Sequence, residues 1–202
     1  WGDANYLGGF GIYRGTAMVD PSTPSCTDGI QNQDETGVDV GGVCGGNPPP
    51  PVCTENCFPN VLFLPGIKGS VLQKGSDTLW PPTFFLNDVN ELAITDTGES
   101  VNDIQTSGII DKFYFVPVYA PFSQFMDNLK SSGDINDWLP LAYDWRFMPE
   151  QILTDGIKTE DGVIDVIGQI ENLASTSKNG KVTIVAHSMG GLLGKAIIQK
   201  LS

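Results

Sequence analysis

The sequence lacks a long apolar segment, has few basic residues, and has no cysteine after position 57. Its longest apolar run, between Phe113 and Phe122, contains two prolines and falls short of the ~18 residues that cross a bilayer. The sequence has 11 lysines and arginines and 24 acidic residues, which gives a net charge of −13. Such an acidic surface repels phosphate backbones, so we expect no nucleic-acid partner. The apolar fraction of 40% is enough for a packed core.

Four cysteines lie in a stretch that is rich in glycine and proline: Cys26, Cys44, Cys53 and Cys57. An even number of cysteines in such a stretch predicts two disulfides, and therefore a secreted or cell-surface protein. A zinc site is the alternative, but Cys26 and Cys44 each lack the closely spaced partner that zinc sites usually have. The disulfide connectivity stays open.

The same stretch contains four acidic residues, Asp28, Asp34, Glu35 and Asp39. Their carboxylates could converge on Ca²⁺, but the regular D-x-D-x-D-G spacing of a calcium loop is absent. A solvated acidic loop is the favoured interpretation, and no metal site is assigned.

The composition changes twice along the chain, which predicts three parts. Residues 1–25 alternate aromatic and small side chains, as the end of a preceding β domain would. Residues 26–58 form a Cys-rich, Pro-rich segment and linker, with four consecutive prolines at 48–51 that favour an extended spacer. Residues 59–202 alternate strand and helix signals. Because the first residue is Trp and no signal peptide is present, we expect the sequence to be part of a longer chain.

The pattern of residues 59–202 predicts an α/β fold. Apolar runs at 61–64 and 139–143 and the β-branched run 181–186 indicate strands. Apolar residues at helical spacing predict helices over 122–129 and 163–173, the second terminated by Asn179-Gly180, and 189–201 is expected to form a third. Strands separated by helices predict a parallel sheet that is covered on both faces.

The segment VTIVAHSMGGLL at 182–193 is typical of a nucleophile elbow, in which a strand turns sharply into a helix. The turn forces Ser188 into a strained conformation that exposes its hydroxyl, and it requires small residues on either side, here Ala186 and Gly190. The backbone N–H of Met189 can donate to an oxyanion at the helix N-terminus. A serine that only caps the helix is the alternative, but a cap does not explain both small neighbours.

A second loop, LPGIKGS at 64–70, follows the first strand. In acyl-transfer hydrolases the other oxyanion donor is a backbone N–H in such an early loop. Gly66 and Gly69 permit a close backbone approach, and Ile67 is the candidate donor.

Four motifs in this order resemble the lecithin:cholesterol acyltransferase family, which includes phospholipid:diacylglycerol acyltransferases and lysosomal phospholipases: FLPGIKGS at 63–70, LWP at 79–81, YDWR at 143–146 and AHSMGG at 186–191. The resemblance covers about residues 60–202 and implies the N-terminal part of an α/β-hydrolase. It implies that Ser188 is the nucleophile, and it places the oxyanion donors at Ile67 and Met189.

The resemblance also carries weaker implications for other residues. Trp80 falls where the family has a lid or substrate-contacting region. Asp144 and Arg146 resemble a buried structural pair that orders the loop beside the site. No metal or organic cofactor is implied.

A serine nucleophile needs a base and an orienting carboxylate, which in this fold follow the serine along the chain. None of the residues 189–202 is Asp, Glu or His. The single histidine, His187, adjoins Ser188 on a tight turn where side chains diverge, so we expect it to pack beside the elbow or line the pocket. The sequence is therefore expected to end before the Asp and His of the triad and to be nearly inactive alone.

These observations favour a secreted serine acyl hydrolase or O-acyltransferase that forms an acyl-enzyme at Ser188. A lipid or other ester is the expected substrate, with contact to a membrane or lipid surface. The acyl acceptor, water or an alcohol, is not determined by the sequence. The alternative is a non-catalytic, adhesin-like surface protein whose hydrolase-like module binds lipid, although strain at Ser188 would serve no purpose there.

Overall fold

The structure, a computed structural model, describes the backbone of residues 10–12, and the backbone and, except at Asn179, the side chains of residues 58–82 and 89–202. Within these ranges the strands are β1 (Phe10–Ile12), β2 (Asn60–Leu64), β3 (Ser70–Lys74), β4 (Asp77–Trp80), β5 (Gln105–Ile109), β6 (Lys112–Phe113), β7 (Val116–Pro117), β8 (Asp137–Pro140), β9 (Ile157–Thr159), β10 (Gly162–Ile164) and β11 (Val182–His187). The helices are α1 (Ala120–Ser132), α2 (Pro149–Asp155), α3 (Val166–Ser175) and α4 (Gly190–Lys200), with short 3-10 helices at Val89–Leu92 and Lys178–Gly180.

The central sheet has the strand order β1-β11-β2-β8. Strands β11, β2 and β8 are parallel, and β1 pairs with β11 in the antiparallel direction. In the register of β11 and β2, Ala186 lies opposite Leu64, so the two strands end at the same level. The parallel strands confirm the predicted α/β class.

Every residue of β2 is buried, because helices cover both faces of the sheet. Leu62 and Leu64 contribute to a core shared with α2, α3 and α4. Val61 contributes to a second core with the α1 residue Met126, and Phe63 stacks on Phe122 of the same helix. The alternation of side chains along a strand therefore fills both layers.

The N-terminal end of β2 is held by a polar network around the buried Asn60. The backbone N–H of Asn60 donates to Ser177 Oγ at 2.8 Å, and its side-chain amide donates to the carbonyl of Leu173 and to Thr176 Oγ1. Its side-chain oxygen accepts from Asn136 Nδ2 at 3.0 Å. Asn60 and Ser177 are fully buried, and their hydrogen bonds satisfy polar groups that would otherwise be costly inside the fold.

A smaller antiparallel sheet, β4-β3-β5, lies in the connection between β2 and α1. Its core contains Leu72, Leu79 and Ile104, with Trp80 and Trp145 packed against them. Two hairpins complete the fold, one formed by β6 and β7 and the other by β9 and β10.

The predicted helix over 163–173 is wrong at its start. Val163 and Ile164 belong to β10, where Ile164 pairs with Ile157. The helix begins after Asp165, whose side chain accepts a hydrogen bond from the Ile167 N–H and so caps α3. It also ends before the predicted Asn179-Gly180 stop, at Ser175.

The early end of α3 has a local cause. The Ser177 hydroxyl, which accepts from the Asn60 N–H, also donates to the carbonyl of Lys181. The Ser177 side chain therefore links the segment that leaves α3 to the segment that enters β11. The chain turns at Ser177, and the helix ends before it.

Several predictions fall on residues outside the described ranges. These are the four cysteines, the acidic residues at 28–39, the proline linker, and most of the segment assigned to a preceding β domain, so the disulfide, zinc, calcium and domain predictions stay predictions. None of the helices in the described part of the chain has the length and apolar character needed to span a bilayer.

Candidate active site

Ser188 occupies the turn between β11 and α4. Its backbone φ is 52°, in the left-handed region that residues with a β-carbon rarely adopt. The residue is exposed, at the C-terminal edge of the parallel sheet. A strained residue of this kind persists only when its surroundings hold it in place.

Close packing explains why the residues flanking the turn are small. A β-carbon on Gly190 would lie 2.3 Å from the carbonyl oxygen of Leu64 and 2.7 Å from that of Pro65. Ala186 is buried and pairs with Leu64 in the sheet. The first turn of α4 therefore rests directly on the backbone that leaves β2.

The early loop is a tight turn in which the Gly69 N–H donates to the Gly66 carbonyl at 2.9 Å. Its two corner residues, Ile67 and Lys68, are exposed, and Lys68 has a φ of 60°. A β-carbon on Gly66 would lie 3.1 Å from Ser188 Cβ. The fold thus brings the early loop directly against the elbow.

The two predicted oxyanion donors share one feature. The backbone N–H groups of Ile67 and Met189 donate to no acceptor among the described residues. Each lies in a connection that follows a strand of the central sheet, and β2 and β11 are neighbours there.

Two tyrosines hold the early loop, and the sequence did not identify either as a site residue. Tyr143 is fully buried and donates its hydroxyl to the Pro65 carbonyl at 2.7 Å. The Gly66 N–H donates to the hydroxyl of Tyr119 at 2.9 Å. Tyr143 belongs to the YDWR motif, which could have drawn attention to it, whereas no motif includes Tyr119.

Burial sets the protonation of both phenols. It raises the pKa of Tyr119, although the hydrogen bond from Gly66 works in the opposite direction. Burial also raises the pKa of Tyr143, and electrostatic repulsion from Tyr119 adds to the effect. Both hydroxyls therefore keep their protons at neutral pH.

His187 is directed at Tyr119. Its Nδ1 shares a hydrogen bond of 2.8 Å with the Tyr119 hydroxyl, and the two rings meet edge to face. A β-carbon on Gly66 would lie 2.9 Å from the same nitrogen. His187 thus packs beside the elbow, between Tyr119 at the start of α1 and Gly66 of the early loop.

Trp80 lies on the other side of the early loop. Its Nε1 donates to the Lys68 carbonyl at 3.0 Å, and the Lys68 ammonium lies 4.9 Å from the centre of its ring. Its ring also meets that of Trp145 edge to face. Trp80 and Lys68 line a groove of about 170 Å³ with four other residues, Pro81, Ile110, Phe113 and Val118.

Asp144 and Arg146 form the buried ion pair that the resemblance implies. Arg146 donates to both carboxylate oxygens, with a shortest distance of 2.6 Å, and both side chains are largely buried. The guanidinium also donates to the Leu92 carbonyl and to Ser100 Oγ. The pair ties the loop after β8 to the segment that precedes β5.

The Oγ of Ser188 has no hydrogen-bond partner in the described part of the chain. No group of three or more His, Cys, Asp or Glu side chains among the described residues could hold a metal ion. The turn thus presents an exposed serine beside the early loop.

Comparison with known proteins identifies the family. The model of the lecithin:cholesterol acyltransferase family matches residues 96–201, which is more than half of the chain and includes the elbow. Ile67 and Trp80 lie outside the matched residues. No curated protein and no solved structure matched the chain. The family match confirms the resemblance seen in the motifs, and the chain belongs to the lecithin:cholesterol acyltransferase family, whose members act on lipid esters.

Proposed function

We propose that this chain supplies the nucleophile and the oxyanion-binding groups of a serine acyl hydrolase or O-acyltransferase that acts on lipid esters. One observation carries the proposal: Ser188 is held at a φ of 52° with the Gly66 loop packed against it. In a nucleophile elbow this strained conformation exposes the serine hydroxyl for attack on a substrate. A module that only binds its ligand does not require such strain at a serine.

The reaction proceeds through an acyl-enzyme. Ser188 Oγ attacks the ester carbonyl carbon while a general base takes its proton, and the carbonyl oxygen becomes an oxyanion. The N–H groups of Ile67 and Met189 donate to this oxyanion. The intermediate then expels the alcohol, which receives the proton, and leaves the acyl group on Ser188. His187 is not the proposed base, because the side chains of adjacent residues on a tight turn diverge and its ring is directed at Tyr119.

The second half of the reaction decides between the two activities. Water as the acceptor releases a fatty acid and makes the protein a lipase or phospholipase. An alcohol as the acceptor receives the acyl group and makes it an O-acyltransferase. Incubation of the full-length protein with a labelled lipid ester, with and without a long-chain alcohol, distinguishes free acid from new ester.

Labelling with a fluorophosphonate tests the proposal, because this probe reacts with activated serines. We expect the full-length protein to be labelled and Ser188→Ala to be unlabelled. Ser202→Ala is a matched control at an exposed serine whose hydroxyl donates to the Ile198 carbonyl, and it should be labelled like the parent. Absence of labelling in the parent, together with equal lipid binding by Ser188→Ala, would support the non-catalytic alternative.

The β6–β7 hairpin is the proposed contact with a lipid surface. Phe115 at its tip is 99% exposed, and Val116 is 63% exposed. Phe113 of the same hairpin lines the groove beside Trp80 and Lys68, which places the hairpin next to the early loop. A hairpin tip made of aromatic and aliphatic side chains is suited to the boundary between water and lipid.

A secreted or cell-surface location belongs to the same proposal. It is supported by the four cysteines of the first 57 residues, which would form two disulfides in an oxidising compartment. Thiol titration of the unfolded protein, purified from its source without reductant, tests it. We expect no free thiol, and four would contradict the proposal.

A further inference from the structure

Tyr119 lies where three parts of the active site meet. It immediately precedes α1, its hydroxyl accepts from the Gly66 N–H of the early loop, and the same hydroxyl bonds His187 Nδ1 at the elbow. The two hydrogen bonds measure 2.9 Å and 2.8 Å. Only 5% of the residue is exposed, so water does not compete for the hydroxyl.

The position of this hydroxyl is determined by the packing around it. The ring of Tyr119 meets that of Phe63 edge to face, with 5.1 Å between ring centres. Its backbone N–H donates to the Ile110 carbonyl at 3.2 Å. A β-carbon on Gly69 would lie 2.9 Å from the hydroxyl, so no larger residue fits there. The phenol is therefore a fixed point between the loop and the elbow.

The residues bonded to Tyr119 are close in sequence to the two oxyanion donors. Gly66 immediately precedes Ile67, and His187 lies two residues before Met189. A shift of the Tyr119 hydroxyl would therefore move both donors. Because the phenol oxygen accepts from Gly66, its own proton is available to His187 Nδ1.

We propose that Tyr119 is a positioning residue that sets the separation between the Ile67 and Met189 N–H groups. It acts through the chain of hydrogen bonds from Gly66 to Tyr119 to His187 and does not touch the substrate. This inference rests on the proposed function, since it assigns a task to a residue beside the proposed oxyanion site. Oxyanion donors act only when they are held at the place where charge develops.

Tyr119→Phe in the full-length protein tests this role, because phenylalanine keeps the ring packing and removes only the hydroxyl. We expect kcat on a soluble ester and the rate of fluorophosphonate labelling to fall about 10- to 100-fold, with KM nearly unchanged. Ser177→Ala is the matched control, since it removes a buried hydroxyl from the opposite end of β2. It should lower the melting temperature without changing kcat of the folded protein.

A second readout separates positioning from plain stability. A thionoester develops negative charge on sulfur, which is a weaker hydrogen-bond acceptor than oxygen. Displaced donors should therefore slow the reaction of the oxygen ester more than that of the matching thionoester. The rate with the ester divided by the rate with the thionoester should then be lower in Tyr119→Phe than in the parent. The ratio should stay constant in Ser177→Ala. If Tyr119→Phe does not fold, His187→Phe breaks the same chain at its other end and should lower kcat in the same way.

The outcomes for this role and for the proposed function are distinguishable. If Tyr119→Phe is labelled as fast as the parent while Ser188→Ala stays unlabelled, the positioning role is wrong and the assignment of Ser188 as the nucleophile stands. A parent protein that is never labelled would overturn the proposed function itself. A fall in labelling with an unchanged ester-to-thionoester ratio would also count against the positioning role.

Discussion

The carbonyl oxygen of Leu64 lies 2.3 Å from the point where a β-carbon on Gly190 would stand. Real β-carbons do not come this close to backbone oxygen, so the contact exists only because residue 190 is glycine. It joins the end of β2 to the beginning of α4, the two elements that carry the early loop and the elbow. This close packing of the two elements therefore requires glycine at position 190.

Gly190→Ala is expected to destabilise the fold by about 2–3 kcal/mol, because the new methyl group meets backbone that cannot move independently. Gly194→Ala in the same helix is the control. Its β-carbon would lie 3.4 Å from Leu64 Cδ1, an ordinary contact, and alanine favours a helix over glycine by about 1 kcal/mol. Urea unfolding measures both free energies, and equal stability of the two variants would contradict the packing argument.

Ser188→Gly should be more stable than the parent by about 1 kcal/mol, because glycine adopts a φ of 52° without strain. Ser188→Ala keeps the β-carbon and should not gain this stability. Thermal unfolding of both variants measures the difference, and both should lose fluorophosphonate labelling. Identical melting temperatures for the glycine and alanine variants would mean that the turn stores no strain.

Arg146→Ala is expected to cost about 3–5 kcal/mol of unfolding free energy, because it leaves the largely buried Asp144 carboxylate without its partner. Lys130→Ala is the control. It removes an ion pair with Asp137 in which both side chains are about half exposed, and it should cost less than about 1 kcal/mol. Denaturant midpoints compare the two, and a similar small loss in both would contradict the structural role of Arg146.

Stability should fall as pH rises above about 10, the ordinary pKa of tyrosine. Burial raises the pKa of Tyr143 in the folded state, so below this pH both states hold the proton. Above it the unfolded state ionises first, and unfolding is favoured by up to about 1.4 kcal/mol per pH unit. Urea unfolding between about pH 9 and 11 should show a shallower decline in Tyr143→Phe. Equal slopes in parent and variant would rule out Tyr143 as the source.

Phe115→Ser should weaken binding of the full-length protein to phosphatidylcholine vesicles about tenfold, because one fully exposed aromatic ring no longer enters the interface. Phe125→Ser, on the exposed side of α1, is the control and should bind like the parent. Vesicle sedimentation measures both. Equal loss in the two variants would show that the hairpin is not the specific contact.

The sequence predicts the elbow and its strand well, because their signals are local. Ala186, Ser188 and Gly190 are each dictated by the turn that contains them, and the β-branched residues before them favour a strand. The boundary between β10 and α3 could not be predicted in the same way. Val163 and Ile164 also fit the helical spacing, and the capping side chain of Asp165 decides against it.

Tyr119 shows why the rest of the site could not be read from the sequence. Its hydroxyl joins Gly66, which is 53 positions away, to His187, which is 68 positions away. Neither partner is marked by spacing or composition near Tyr119. Only the folded arrangement of β2, α1 and β11 brings the three together.

The two ends of β2 differ in their exposure to solvent. At one end Asn60 and Ser177 are fully buried and hydrogen-bonded to each other, while at the other end the chain leaves the strand for an exposed turn at Ile67 and Lys68. The five residues of β2 join these two ends. The buried end of β2 therefore holds the strand in place, and residues of the exposed turn at its other end can be replaced without disturbing the packing of Asn60 and Ser177.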